Sequence, residues 1–246
     1  MKADTYAVES AVEASHWWFV GRRRLFQLEI AHVDVPRDAR ILDLGTSTGT
    51  NLRMLRDLGY HRTIGLDLSD AAVQFCTSKG LGPVQQGDVC AIPFADASFD
   101  LVLATDIIEH VDDDHRALAE IARILTIGGH ALITVPTFQL LWGLQDEVAL
   151  HKRRYRLGQL LPTIQAAGLV PERAYYFNYL LFGPILLARA VLRATSMSLK
   201  SENQINTPLL NRVLSAVFAL DVSTARRLRP PFGVSALVMA RRPGAP

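Results

Sequence analysis

Four segments of the chain place small or acidic residues directly after apolar runs. They are DLGTSTG from Asp43 to Gly49, DLS from Asp67, DV at Asp88 and Val89, and TD at Thr105 and Asp106. Gly45 and Gly49 lack a Cβ, so the backbone can turn sharply there and let a ligand come close. The helix expected after Gly49 starts with free N–H groups, which suit a polar ligand group. Asp67, at the end of the second run, can accept from both hydroxyls of a ribose. Asp88 can accept from an adenine amino group. A glycine-rich turn alone reads equally well as a tight structural turn. The acidic residues at successive run ends are what direct the reading toward one nucleoside pocket.

A second set of residues can move a proton or hold a charge. Glu109 and His110 follow the fourth apolar run. Either can act as a base or orient a substrate, and either can merely cap the next helix. His151 opens the polar segment HKRRY at 151–155, where a neutral imidazole can take a proton near pH 7. Arg153 and Arg154 can grip an anionic group bidentately, or pair with carboxylates on a surface loop. Near the start, HWWFVGRRR at 16–24 sets aromatics beside arginines. That mixture can bind single-stranded nucleic acid, but it is short and the rest of the chain is not basic. A closing lid, with one arginine near a bound carboxylate, fits better, and an amphipathic helix packed on the core is the plainer reading.

The elements that must position these groups alternate in kind. Strands are expected at 40–44, 63–68, 82–86, 99–104 and 131–135. Helices are expected at 51–58, 69–79 and 112–125, with apolar residues at helical spacing. Ser69 is the expected N-cap of the second of these, and Gly59 and Gly80 stop the first two. Gly128 and Gly129 form a turn before the fifth strand. This rhythm predicts an α/β fold with a doubly wound, mainly parallel sheet, its ligand site beyond the carboxyl ends of the strands. The last third differs: a helix at 156–167, a strand at 169–177, two apolar helices at 180–194 and 208–220, and a final strand at 234–241. The two helices read as an insertion, with core packing, an acceptor chamber, a dimer surface and an interfacial membrane contact as its uses.

Composition narrows the class. The chain has 246 residues, enough for one large α/β domain. It is 49% hydrophobic and 20% charged, with a net charge of +2, too weak to argue for a nucleic-acid partner. Cys76 and Cys90 are too few for a disulfide framework and read as reduced thiols in a cytoplasmic protein. No signal-peptide core and no run of membrane-spanning length stands out.

Over residues 40–136 the chain resembles the class I S-adenosylmethionine (SAM)-dependent methyltransferases. The segments that carry the resemblance are DLGTSTGT, GLDLS, GDVCAIPFADASFDLVLATDIIEHV and the Gly-Gly pair before ITVP. The resemblance implies SAM as cofactor, S-adenosylhomocysteine as product, and a seven-stranded Rossmann-like sheet. It implies an N-terminal helical lid at 1–35, a SAM-binding domain at 36–178 and 231–242, and a helical insertion at 179–230. Gly45, Thr46 and Gly49, after Asp43, would cradle the methionine part and ribose. Asp67 with Leu68 would bind the ribose, Asp88 the adenine N6, Val89 would give a backbone contact, and Thr105 would lie near the methionyl group. Ser47 stands where the family's loop usually has its middle glycine. The segments at 16–24, 151–155 and 231–242 resemble a bacterial subgroup that tends to use lipophilic, lipid-linked or natural-product acceptors. The expected reaction is therefore methyl transfer to a small or lipid-like acceptor, oxygen first, with His151, Glu109 and His110 as candidates for the base. No metal is expected, since the sulfonium needs none and the seven histidines show no HExxH spacing. Peripheral membrane contact through 179–222 and a homodimer complete the expectations. The alternatives are a SAM-binding protein without catalysis and a nicotinamide-dependent oxidoreductase; the latter lacks its GxGxxG fingerprint here.

Overall fold

The computed structural model describes residues 3–195 and 207–244. Seven strands form one sheet: β1 (Ile41–Leu44), β2 (Thr63–Asp67), β3 (Val84–Gln86), β4 (Phe99–Thr105), β5 (Leu125–Pro136), β6 (Val170–Phe177) and β7 (Ser235–Arg241). Their order is β3-β2-β1-β4-β5-β7-β6. The first five run parallel, and β7 lies antiparallel between β5 and β6. The chain reverses its winding between β1 and β4, which creates a crevice at their carboxyl ends.

The central strands are apolar on both sides because both sides are covered. Ile41, Leu101, Leu103 and Leu132 face α2 (Trp17–His32), α3 (Thr50–Asp57) and α9 (Pro208–Leu228). Leu42, Leu44, Val102, Ala104 and Ile133 pack with α5 (Asp114–Ile124) and α7 (Leu157–Ala166). The remaining helices are α1 (Ala3–Val12), α4 (Asp70–Ser78), α6 (Leu144–Ala149) and α8 (Phe182–Thr195). The sheet is thus wound on both faces, as the alternation of elements predicts.

Helices from the two ends of the chain share one face. At the crossing of α2 and α9, a Cβ on Gly21 would lie 2.1 Å from Phe218 Cδ1. Trp18 stacks on Phe218 with ring centroids 5.4 Å apart. Trp17 and Trp18 therefore pack against the core of this face. Residues 196–206 of the expected insertion lie outside the described residues.

Two expectations are corrected. The Gly128–Gly129 pair does not separate a helix from a strand, because β5 already begins at Leu125. Phe99 pairs with Leu125 and Leu101 with His130, so the glycines sit in a bulge. Arg242 holds that bulge in the sheet: Gly128 N donates to its carbonyl, and its own N donates to Gly129 O. The last helix continues past Leu220 to Leu228. Asp221 breaks its apolar pattern, yet the side chain is buried and accepts from Asn178 N (2.7 Å) and Leu180 N (2.9 Å) in the loop after β6.

Candidate active site

The loop between β1 and α3 is held from below. Gly45 and Gly49 have φ of +68° and +85°, and Ser47 has +50°. A side chain at Ser47 in this left-handed region costs on the order of 1 kcal/mol that glycine would avoid. Asp67, at the end of β2, stabilises the loop: its Oδ2 accepts from Ser47 N and its Oδ1 from Ser69 N, both at 2.9 Å. The Ser47 hydroxyl donates to Glu9 Oε2 at 3.1 Å, which ties α1 to the loop. The approach of α1 thus gives that hydroxyl a carboxylate acceptor. The Thr46 side chain points into the sheet, its hydroxyl bonded to Asp43 O at 3.1 Å. Its backbone is engaged as well: Thr46 N donates to Leu66 O at 3.4 Å, and Thr46 O accepts from Gly49 N at 2.9 Å.

Asp43 ends up buried beside this loop. Asn51, in the first turn of α3, donates from Nδ2 to Asp43 Oδ1 (2.9 Å) and to Thr105 Oγ1 (3.0 Å). One amide therefore links the ends of β1 and β4. Asp43 Oδ2 is buried and has no partner. Burial pushes the Asp43 carboxyl up to about 7, with Asn51 opposing the shift and Asp67 adding to it. Leu68 is 69% exposed directly after Asp67, an apolar surface at the mouth of the crevice. Asp88 lies on the exposed side near β3, where its Oδ1 accepts from Cys90 N at 2.8 Å. Val89 beside it is buried. Cys76 packs under Gly49, and burial drives its thiol up to about 12, so it offers no thiolate near neutral pH.

Asp106 joins this cluster to a second one. Its Oδ2 pairs with Arg22 Nη2 from α2 at 2.7 Å, and its Oδ1 accepts from the Thr134 hydroxyl at 3.1 Å. Arg22 lies over the rings of Trp18 and Phe26, at 5.3 and 5.2 Å. The arginine run near the N-terminus thus places one guanidinium at the strand ends, on a helix packed against the core.

Beyond Asp106, a 3-10 turn at Ile108–His110 brings Glu109 and His110 against His151. The His110 and His151 rings meet edge to face, with centroids 4.7 Å apart. Glu109 Oε1 is 3.9 Å from His151 Nε2. Glu109 is fully buried and neither carboxyl oxygen has a hydrogen-bond partner. Burial, with the Asp106 charge, raises its carboxyl well above the usual range. His110 is pushed down to about 4 by burial and by His151, so its ring is neutral at physiological pH.

Asp146 in α6 supports this group from behind. His151 Nδ1 is 2.8 Å from Asp146 Oδ1. Arg154 grips the same carboxylate bidentately, at 2.8 and 2.9 Å. Gly143 N donates to it at 2.8 Å, and Arg189 of α8 lies 3.7 Å away. Burial alone would raise this carboxyl; the bonds from His151 and Arg154 outweigh it and hold Asp146 at about 2.

Most residues singled out in the sequence therefore meet at one end of the sheet. For two of them the structure shows the pairing with carboxylates that was the alternative to an anion grip. Arg154 is spent on Asp146 and on Thr137 O. Arg153 pairs with Asp114 at 3.2 Å and donates to Val111 O and Asp112 O. Their guanidiniums build the loop, because carboxylates and carbonyls of the chain itself lie within reach. Asn51 and Asp146 were not anticipated. Asn51's place in the first turn after a glycine loop was the available signal, and Asp146 has none beyond being acidic.

A methyltransferase domain model matches residues 42–133, which span β1 to β5. The chain is 27% identical over 161 residues to a probable S-adenosylmethionine-dependent methyltransferase of Mycolicibacterium smegmatis, covering 64% of this chain and 61% of that protein. It is 32% identical over 164 residues to a 2-phytyl-1,4-naphtoquinone methyltransferase of Thermosynechococcus vestitus, covering 59% of this chain and 72% of that one. The chain thus spans about three fifths of the length of the first relative and nearly three quarters of the second. Among solved structures, the protein bound to the Trm112 methyltransferase activator of Haloferax volcanii superposes with a TM-score of 0.66 at 22% identity, over 99% of this chain and 96% of that one. At that identity the likeness speaks for the fold.

Proposed function

Because the chain belongs to the class I SAM-dependent methyltransferases, we propose that it methylates a small, lipophilic or lipid-linked acceptor, with a hydroxyl oxygen as the first candidate atom. The observation that carries this reading is the row of strand-end groups, Asp43, Asp67 and Thr105, continuing through Asp106 into Glu109, His110 and His151.

The residues present fit SAM. Asp43 keeps one buried oxygen without a partner, which suits a cationic amino group. Asp67 spends two acceptor sites on the loop, and a carboxylate has about four, leaving room for ribose hydroxyls. Asp88, Val89 and the exposed Leu68 would hold the adenine, and the Gly45–Gly49 backbone the methionyl part. SAM, when bound, supplies the electrophilic methyl group. The chain's own work is to hold acceptor and donor in line and exclude water. His151, its Nδ1 fixed by Asp146, turns Nε2 toward the site and is the first candidate to take the acceptor's proton, with Glu109 and His110 beside it.

The acceptor class rests on two supports. The Thermosynechococcus relative is named for a substrate with a phytyl chain. Phe138, Phe182 and Phe232 form an aromatic chain after the end of β5, with centroids 5.6 and 5.2 Å apart. Leu187 and Val191 of α8 and Leu209, Val213 and Leu220 of α9 are exposed. They support a role of 179–222 in meeting a lipid surface or a second copy of the chain. Vesicle flotation and sedimentation equilibrium separate those two uses. No helix among the described residues is long and apolar enough to cross a membrane.

Calorimetric titration with SAM and S-adenosylhomocysteine tests the reading. Micromolar binding of both is expected. Asp67→Ala should weaken it by on the order of 1.5–3 kcal/mol for each charge-assisted hydrogen bond lost. Unchanged affinity in that variant removes the ribose assignment. Labelled SAM with a panel of lipophilic alcohols, phenols and quinols then reads the acceptor.

A further inference from the structure

We propose that Glu109, His110 and His151 form a binding site for one divalent transition-metal ion of the Zn2+ or Fe2+ type. Each residue offers one ligand atom, and these atoms all lie within 4.8 Å of one another. Two imidazoles and one carboxylate are a donor set that such ions favour over Mg2+ or Ca2+. Bonds of about 2.0–2.2 Å would bring the donors to within about 4 Å of one another, which small side-chain rotations accomplish.

Three further observations point to an ion. Glu109 is fully buried and both its oxygens lack a partner. A buried carboxyl without hydrogen bonds is costly, and native structures rarely leave one so. A cation held between Glu109 and the two imidazoles would meet that cost. The second observation is the outer shell. His151 Nδ1 is bonded to Asp146, which leaves Nε2 on the Glu109 side. This carboxylate–histidine arrangement is the one that orients metal-binding imidazoles. The third is rigidity. Arg154 and Gly143 fix Asp146, and Lys152 N donates to Glu109 O at 2.9 Å. The loop that carries His151 is thereby pinned to the turn that carries Glu109.

Motif spacing did not announce this site, because His151 comes from a distant connection and meets the other two only in the fold. Three protein ligands would leave positions open for water or for an acceptor oxygen. That last role rests on the methyl-transfer reading; the binding of the ion does not. Glu109, His110 and His151 would hold the ion, which would supply Lewis acidity to an acceptor oxygen in place of a base at His151.

The test uses tag-free, chelator-stripped full chain, titrated with Zn2+ by calorimetry and with Co2+ by visible absorption. One equivalent should bind with micromolar or tighter affinity. Glu109→Gln and His151→Ala should each weaken it at least tenfold, and the exposed His115→Ala should not. Glu109→Gln keeps the size of the buried side chain, and circular dichroism checks that it folds. A rise of the wild-type melting temperature with Zn2+, absent in Glu109→Gln, should accompany binding. No stoichiometric uptake overturns the site, as does uptake that Glu109→Gln leaves intact or that His115→Ala reduces equally. SAM is titrated into the same samples. SAM binding without metal uptake removes the ion alone, and metal uptake without SAM binding removes the methyltransferase reading alone.

Discussion

Two fully buried carboxylates flank His151, and the fold treats them in opposite ways. Asp146 receives a bidentate guanidinium, a backbone N–H and an imidazole, and is held at about 2. Glu109 receives no hydrogen bond from any other residue and is raised well above the usual carboxylate range by burial. Asp43 stands between them, with one oxygen on Asn51, the other unpartnered, and its carboxyl at about 7. The grading separates anchors from working groups. A carboxylate whose acceptors are filled is part of the framework, while one left open in a desolvated place is kept for a proton or a cation.

The largest effect should come from cutting the anchor. Asp146→Ala leaves Arg154 buried without its counter-charge, which costs about 3–5 kcal/mol. Urea unfolding should show a loss of unfolding free energy of that size. A shift below about 1 kcal/mol would break the comparison, since Arg154 would then have another adequate partner.

Asp43 should follow, with a pH dependence of unusual sign for an acid. Its folded value of about 7 lies above the ordinary 3.8. The unfolded chain therefore releases this proton first, and stability from Asp43 is present below pH 4 and lost as pH rises to about 7. The linkage amounts to about 4 kcal/mol in total. Asp43→Asn should match the wild type near pH 4 and exceed it at pH 8, by thermal melts across that range. Parallel pH curves would show that Asn51 and the loop hold Asp43 ionised. Asp146 should do the reverse. Its folded value of about 2 lies below 3.8, so its stability is present above pH 4 and lost as pH falls to about 2. That limb is worth about 2 kcal/mol and should vanish in Asp146→Asn.

The two halves of the site were not equally legible. Gly45, Gly49, Asp67, Asp88 and Thr105 all follow directly from strand ends, so a parallel sheet alone brings most of them together. The winding of the sheet and most strand positions could be read the same way. The proton-handling half depends on a connection that folds back. His151 was recognisable as a candidate, but its orienting carboxylate lies in a short helix with no periodic signal. Arg154 looked like an anion clamp because sequence cannot tell a buried partner from an absent one. Asn51 was invisible because a single amide in a helix carries no pattern until β1 and β4 are adjacent. The length of α9 was misjudged for a related reason: Asp221 looks like a helix end until the loop after β6 supplies its two donors.

Glu109→Gln should have the smallest effect on stability, and it sharpens the comparison most. Glutamine matches the shape of a protonated glutamic acid, and no existing hydrogen bond is lost. The unfolding free energy at pH 7 should change by less than about 1 kcal/mol, against the several expected for Asp146→Ala. If the two variants proved equally damaging, Glu109 would be an anchor like Asp146, and its open oxygens would have lost their meaning. If Glu109→Gln is instead nearly silent in urea and costs the protein its methyl transfer or its metal, the fold has kept a desolvated carboxyl for chemistry that stability does not require.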